Sequence, residues 1–383
     1  MNGHKKHTVK MEDILYNINS VIADENASYE ERKLLVMSLL KSAKANCPEA
    51  EENKELYAKI VYTVADFLSD NDDNDMAANL FLEHLELCDK IYGQDSIQSA
   101  DSLCNIGYTL IEDGDAETGM ALLMKALKIR EKTFGFGHLE TANNYLIIGG
   151  GYQSIGDIPH TVEFFEKGKE ALLACGESQK AIDVQRSIGV IYAKNDMKEE
   201  ALQQYNKTMD MIADALGVVN AEYAAMCNAI GVLLNEENMN IRAFNYFNKA
   251  IEISLEVNGY FDEDTGTYYR NAALTLFKMG EFAQFSEYIE KSLEIRDALL
   301  NPNHLALAET YMYFAIALLW RKDIPTALQY FQKALDIKKS QLGEDSEEVN
   351  ELLSYMDAVA SKPIEDAQAI DLLLKGWRDE ELN

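Results

Sequence analysis

The chain has 383 residues, of which 35 are Lys or Arg and 65 are Asp or Glu, so its formal net charge is −30. A surface this negative repels phosphate backbones and anionic lipid headgroups, and we therefore expect neither nucleic acid nor a membrane surface as a partner. The length exceeds that of the usual single-core domain and the chain has only five prolines, so the sequence predicts either two domains or an elongated, helix-rich fold.

The cysteines and the N-terminus indicate the compartment. The five cysteines are odd in number and scattered, without a C-x-x-C pair, which favours small buried thiols over a disulfide framework or a zinc site. The N-terminal residues are polar and lack the apolar stretch of a signal peptide. No run of about 18 apolar residues occurs, so no transmembrane helix is predicted. We therefore expect a cytoplasmic protein.

Two helices are predicted at the start of the chain, at residues 9–22 and 29–46, where apolar residues recur with helical spacing. About the first eight residues are expected to be disordered. We interpret residues 1–57 as an N-terminal helical cap of the repeats that follow, because the end of a repeat array exposes an apolar face that must be covered.

Residues 58–343 contain seven copies of one pattern. A small residue, called the anchor here, recurs in steps of 42, 42, 40, 42, 42 and 42 residues, at Ala65, Gly107, Gly149, Gly189, Gly231, Ala273 and Ala315. Twelve residues later comes a second, mostly small position, at Ala77, Gly119, Thr161, Ala201, Ala243, Phe285 and Ala327. A large apolar position follows at Phe81, Leu123, Phe165, Tyr205, Phe247, Ile289 and Phe331.

Glycine, proline and histidine recur in the same frame. One glycine position, where a helix needs a left-handed residue in order to end, is occupied by Gly93, Gly135, Gly217, Gly259 and Gly343. Pro159 and Pro325 share a position in the first turn of a predicted helix, where the missing N–H costs nothing. His138 and His304 also match, which we attribute to a recurring loop.

Each copy is predicted to be a pair of helices, A and B, joined by a short turn. In the second copy, helix A is predicted at about Asp101–Glu112 and helix B at about Glu117–Lys132. Small residues are needed where the two helices cross closely, and the large apolar positions fill the space between successive pairs. One pair cannot bury its apolar face alone, whereas seven pairs share a continuous core.

This pattern resembles the tetratricopeptide repeat, and the 42-residue period with a lengthened helix B resembles the kinesin light chain type. The residues that carry the resemblance are 126–142, 292–310 and 334–349, and it covers about residues 58–343. It implies an all-α, right-handed superhelix whose A helices line the concave face, and a function in binding other polypeptides. No heptad pattern precedes the repeats, so kinesin association is not implied, and this repeat type specifies fold better than function.

Residues 344–383 are predicted to form one or two closing helices, at 346–362 and 369–382. We interpret them as a C-terminal cap. The alternative is that an apolar face formed by Leu372, Leu373, Leu374 and Trp377 docks onto a partner or a second copy, so self-association through the end helices stays open.

Three features that suggest catalysis or metal binding are better explained by packing and turns. The glycines within residues 147–157 resemble a phosphate loop, but they lie inside a predicted A helix and lack the GKS/T ending. The acidic run 70–75 lies in a predicted turn, and neither starting residue, Asp70 or Asp72, satisfies the EF-hand ligand spacing. The six histidines form no H-E-x-x-H or i, i+4 pair, and no nucleophile grouping has a distinguishing signature. We therefore expect no enzyme activity, no metal and no cofactor.

Candidate binding residues lie on the A helices, at positions two or three before and four or five after the anchor. They are Asn105, Arg186, Lys194, Asn228, Asn235, Arg270, Asn271, Lys278 and Trp320. Asn105 and Asn271 match the helix-A asparagines that hydrogen-bond peptide backbones in the family. Phe277 and Tyr108 are candidate apolar contacts, as is Trp320.

Arginine forks and asparagine amides can satisfy both carboxylates and backbone groups. We therefore expect the groove to bind an extended peptide that carries acidic side chains or a free C-terminal carboxylate. The alternative is that these cations only offset nearby Asp and Glu side chains.

The leading functional hypothesis is an interaction scaffold or adaptor that binds a peptide segment of another protein. The alternative is a signalling-peptide sensor whose superhelix changes shape on binding. Bacterial peptide-responsive tetratricopeptide regulators have a similar length and N-terminal helices, but the sequence shows no helix-turn-helix.

Overall fold

The structure is a computed structural model that describes residues 10–46, 51–361, 374, 375 and 377. Within these residues the chain forms seventeen α-helices and no strand. The helices are α1 Met11–Ile22, α2 Tyr29–Asn46, α3 Glu51–Ser69, α4 Asn74–Tyr92, α5 Ile97–Glu112, α6 Ala116–Phe134, α7 Leu139–Ser154, α8 Ile158–Ala174, α9 Ser178–Lys194, α10 Lys198–Leu216, α11 Ala221–Glu236, α12 Asn240–Val257, α13 Glu263–Met279, α14 Phe282–Leu299, α15 Leu305–Trp320, α16 Ile324–Leu342 and α17 Glu347–Ala360. The all-α fold class is confirmed.

The chain divides into two compact units, Met1–Ile188 (unit 1) and Gly189–Asn383 (unit 2), with the boundary inside α9. The odd-numbered helices from α3 to α15 are the A helices, and the even-numbered helices from α4 to α16 are the B helices. In the second repeat, helix A begins earlier than predicted, at Ile97, because Ser96 before it has the extended backbone of an N-cap.

The anchor residues allow the two helices of a repeat to approach closely, as predicted. A Cβ placed on Gly107 would lie 2.8 Å from the carbonyl oxygen of Gly119. In the fifth repeat the aromatic ring of Phe247 occupies the space beside Gly231, where a Cβ would lie 2.6 Å from Cε1 of the ring. The small and aromatic positions of the repeat are therefore in direct contact.

The helix boundaries confirm that the recurring glycine and proline positions lie at helix ends. Gly135, which follows α6, has a φ of 84°, a left-handed value that glycine adopts without strain. Pro159 and Pro325 stand in the first turns of α8 and α16. His138 and His304 are the N-caps of α7 and α15, and Nδ1 of each accepts a backbone N–H from two residues later. The recurrence of these histidines thus has a structural cause.

Residues 70–73 of the acidic run lie in the predicted turn between α3 and α4, whereas Asn74 and Asp75 begin α4. Asp72 has a left-handed φ of 62°. The carboxylate of Asp73 accepts a hydrogen bond from the Tyr29 hydroxyl at 2.9 Å and pairs with Lys33. Tyr29 and Lys33 belong to α2, so this acidic side chain ties an N-terminal helix to the first repeat.

Each unit has its own apolar core. In unit 1, Ile14 and Ile18 of α1 and Val36 of α2 are buried against the first repeat. In unit 2, Leu374 and Trp377 belong to the same buried cluster as Phe331 of α16, and the Trp377 ring lies 4.6 Å from that of Tyr355 in α17, measured between centroids. Residues 1–8, for which the sequence predicts disorder, lie outside the described residues. So do Leu372 and Leu373, which belong to the possible docking face. Among the helices described, none is both long enough and apolar enough to span a membrane.

Candidate functional site

The predicted site residues are divided between the two units. Asn105, Tyr108 and Arg186 belong to unit 1, whereas the other candidates belong to unit 2 and lie on α9, α11, α13 and α15. We use the name A-helix face for five of them: Lys194, Asn228, Arg270, Asn271 and Lys278. The structure brings together the members on α11 and α13, as the following contacts show.

Two neighbouring A helices are joined by an amide pair. Nδ2 of Asn271 on α13 donates a hydrogen bond to Oδ1 of Asn228 on α11, at 2.9 Å. Oδ1 of Asn271 lies 3.4 Å from a guanidinium nitrogen of Arg270, which donates to it. No partner is present among the described residues for Nδ2 of Asn228, so this amide retains donors at a half-buried position.

The two arginines are already engaged with carboxylates. Arg270 pairs with Glu309 of α15 at 2.8 Å, and its side chain is 23% exposed. Its Nε is buried and has no hydrogen-bond partner among the described residues. Arg186 pairs with Asp183 one turn earlier on α9. Both arginines therefore offset nearby acidic side chains, as the alternative interpretation of these cations expects.

The two lysines differ from the arginines. Lys194 is exposed and Lys278 is half-buried, and neither forms an ion pair within the described part of the chain. Lys194 lies at a pocket of about 310 Å³ whose apolar lining includes Val190 and Val232, with Glu236 also at its wall. An acidic chain therefore presents a lysine without an acidic partner next to an apolar recess.

The remaining candidates of unit 2 are less accessible to a ligand than Lys194 is. Oδ1 of Asn235 is buried without a hydrogen-bond partner among the described residues. Trp320 is half-buried and packs against the unit 2 core. Phe277 is only 1% exposed within that core, so the expectation that it contacts a ligand is wrong: the ring packs on Phe282 and Phe285 instead.

In unit 1, Asn105 and Tyr108 belong to α5. Asn105 is half-buried, and its side chain acts to lower the pKa of Tyr62 on the preceding A helix, against the larger raising effect of burial. Tyr108 is 40% exposed and remains accessible.

Sequence reasoning missed a buried polar cluster in unit 1. His84 on α4 places Nδ1 2.6 Å from the Ser102 hydroxyl of α5 and Nε2 3.3 Å from Sγ of Cys88. Burial lowers the pKa of His84 to about 4 and raises the pKa of Cys88 to about 11. Both groups are therefore neutral near pH 7, which is the opposite of the charged thiolate–imidazolium pair of a cysteine nucleophile. The i, i+4 spacing of His84 and Cys88 was the available signal.

Metal binding has no support in the part of the chain that the structure describes. No group of three or more His, Cys, Asp and Glu side chains there could hold a metal ion.

Comparison with known proteins agrees with the repeat architecture. Models of the tetratricopeptide repeat match residues 99–140 and 264–340. The chain contains tetratricopeptide repeats. A tetratricopeptide-repeat fold of this kind supports a general role as a protein-interaction scaffold.

Curated relatives of this tetratricopeptide-repeat protein include two fungal proteins. The clustered mitochondria protein homolog of Candida albicans is 26% identical over 198 residues, which cover 50% of this chain and 14% of that protein. The homolog of Aspergillus clavatus is 19% identical over 265 residues, 69% of this chain and 18% of that protein. The chain thus spans less than a fifth of the length of either relative.

Among solved structures, the apo form of RapI is similar to this chain. It is 14% identical, with a TM-score of 0.54, and the match covers 85% of this chain and 86% of RapI. At this level of identity the likeness concerns the fold of the tetratricopeptide-repeat protein alone.

Proposed function

We propose that this chain is a protein-interaction scaffold without catalytic chemistry of its own, which binds an extended peptide segment of another polypeptide at the A-helix face of unit 2. The peptide carries acidic side chains or ends in a free C-terminal carboxylate. The observation that supports this proposal is Lys194, an exposed lysine beside an apolar recess in a chain of net charge −30.

The chemistry of the recess suits the end of a peptide. An apolar side chain of the ligand packs on Val190 and Val232, while its carboxylate pairs with the ammonium of Lys194. Glu236 at the same pocket accepts a backbone N–H of the ligand. Nδ2 of Asn228 donates to a peptide carbonyl, and Lys278 on α13 provides a second cation for an acidic side chain.

The test uses lysine substitutions, because Glu in place of Arg270 would face Glu309 and destabilise the fold through like-charge repulsion. An array of synthetic peptides, each made with a free and with an amidated C-terminus, is probed with the wild type and with Lys194→Glu/Lys278→Glu. We expect acidic or free-carboxylate peptides to bind the wild type and to lose at least about tenfold in affinity with the double variant.

The matched control is Lys207→Glu/Lys291→Glu, which makes the same charge change at exposed positions of the unit 2 B helices. Binding that survives the A-helix variant, or that is lost equally in the control, would contradict the proposal.

The alternative sensor function stays a prediction. Small-angle scattering of the wild type with and without a peptide selected on the array tests it, because a sensor changes its dimensions on binding and a static scaffold does not. Cytoplasmic residence and self-association also stay predictions.

A further inference from the structure

A second recess lies in unit 1, between α1, α3, α4 and α5, and has a volume of about 530 Å³. This volume falls within the range of about 300–1,000 Å³ that is typical of ligand sites. Leu56 and Ala58 of α3 contribute aliphatic surface, and Tyr62, His84 and Tyr92 contribute rings. The centroids of the Tyr62 and His84 rings are 5.2 Å apart, so the two rings form one aromatic wall.

The charged groups of this recess are mostly carboxylates. Glu12, Glu55 and Asp101 line it, against a single cation, Lys59. Asp101 also pairs with the buried Arg130, and its side chain remains 47% exposed.

Two tyrosines of the recess have raised pKa values. Burial raises the pKa of Tyr62, with Asp101 adding to the effect, and burial and Glu55 together raise the pKa of Tyr92. Burial is the larger cause of both shifts, and the neighbouring carboxylates act in the same direction.

We propose that this recess binds a lysine or arginine side chain of a partner polypeptide. The alkyl part of such a side chain packs on Leu56 and Ala58, and its charged end lies near the ring of Tyr62 or Tyr92 and the surrounding carboxylates. The net charge of −30 attracts basic segments over longer distances.

A metal ion fits this recess less well than an organic cation does. The carboxylates belong to three different helices, and the described residues contain no group of three or more ligands able to hold a metal. An acidic ligand would face three carboxylates. This basic-residue site lies in the other unit from the A-helix face and takes a ligand of opposite charge, so it does not rest on the proposed function.

The test compares N-acetylated, C-amidated nonapeptides that carry one central arginine with the same peptides carrying citrulline, which keeps the shape and removes the charge. Affinities are measured by fluorescence anisotropy at 0.15 M salt, where the attraction between distant charges is screened. We expect a subset of arginine peptides to bind and their citrulline counterparts to bind at least about tenfold more weakly.

Substitutions then locate the site. Glu12→Gln/Glu55→Gln is expected to weaken arginine-peptide binding at least about tenfold, because two of the lining carboxylates lose their charge. The control Asp113→Asn/Glu117→Gln removes two exposed charges elsewhere in unit 1 and is expected to bind as the wild type does. Circular dichroism melts verify that both variants fold.

Several results would overturn the proposal. They are the absence of binding by any arginine peptide, equal binding of citrulline peptides, and equal losses in the two double variants, which would indicate attraction to the net charge alone. Lys194→Glu/Lys278→Glu leaves arginine-peptide binding unchanged if this site is independent of the A-helix face, so failures of the two proposals are distinguishable.

Discussion

Asn271 on α13 and Asn228 on α11 form a side-chain amide pair, with Nδ2 of Asn271 donating to Oδ1 of Asn228 at 2.9 Å. The two residues are 43 positions apart and belong to successive repeats. The resemblance to tetratricopeptide repeats implies a peptide-binding role for Asn271, yet here this amide also joins two A helices. Its contact therefore couples the candidate binding surface to the packing of the repeats.

This coupling is measurable by a double-mutant cycle. Asn228→Ala and Asn271→Ala are each expected to lower the free energy of unfolding, and the double variant to lose about 1 kcal/mol less than the sum, because one hydrogen bond is removed twice. Urea denaturation of the four proteins gives the coupling energy. Additive losses would mean that the amide pair adds nothing to stability.

Two adjacent glycines of α7 provide a matched test of helix packing. A Cβ on Gly149 would lie 2.5 Å from Cε1 of Phe165, whereas one on Gly150 would meet nothing within 4 Å. Gly149→Ala is therefore expected to destabilise the chain by about 1–3 kcal/mol through overpacking. Gly150→Ala should stabilise it by up to about 1 kcal/mol through helix propensity. Thermal and urea denaturation compare the two variants, and similar effects would contradict the packing geometry.

The buried imidazole of His84 predicts a loss of stability in acid. Its pKa is lowered by burial from 6.5 to about 4, so between these values the unfolded chain binds a proton that the folded chain does not. Stability therefore falls as the pH falls through this window, by about 2 kcal/mol at pH 5 for this group. Comparing the free energy of unfolding at pH 7 and pH 5 in the wild type and in His84→Gln isolates the effect, because the other titrating groups are shared. An equal pH dependence in both would refute it.

Trp377 is expected to stabilise unit 2 by closing its core. The side chain is 6% exposed and contacts the rings of Phe331 and Tyr355. Trp377→Ala should cost about 3 kcal/mol, as is typical for a buried aromatic residue. Trp320→Ala, at a half-buried tryptophan, should cost less. If Trp377→Ala left the denaturation midpoint unchanged, the docking alternative for this segment would be favoured.

The reactivity of the thiols tests which cysteines are buried. Cys88, Cys104 and Cys227 are buried, and burial raises the pKa of each to about 11. They should react slowly with Ellman's reagent at pH 8 in the folded protein and quickly after denaturation, because the thiolate is the reactive form. Cys175, which is half-buried, should react faster than these three. Rapid labelling of Cys88 would instead indicate an activated Cys–His pair.

The sequence determined the repeat frame, because helix packing makes strict local demands. Only a small residue fits at Gly231 beside Phe247, and only a residue that tolerates a left-handed backbone ends α6 at Gly135, so these positions recur visibly along the chain. Helix existence and order follow from such local rules. The positive charge on the A helices could also be predicted from the sequence, because Lys194 and Lys278 occupy the same position of their repeats.

The tertiary structure alone decided which of those side chains remain available. Arg270 and Lys278 are equally cationic in the sequence, but Glu309, 39 residues away, pairs with Arg270, and no carboxylate pairs with Lys278 among the described residues. Phe277 lies one residue from Lys278, yet its ring faces the core. The recess in unit 1 draws its lining from four helices. Such contacts depend on how distant segments meet, and since this is set by the summed packing of the whole core, no local pattern encodes them.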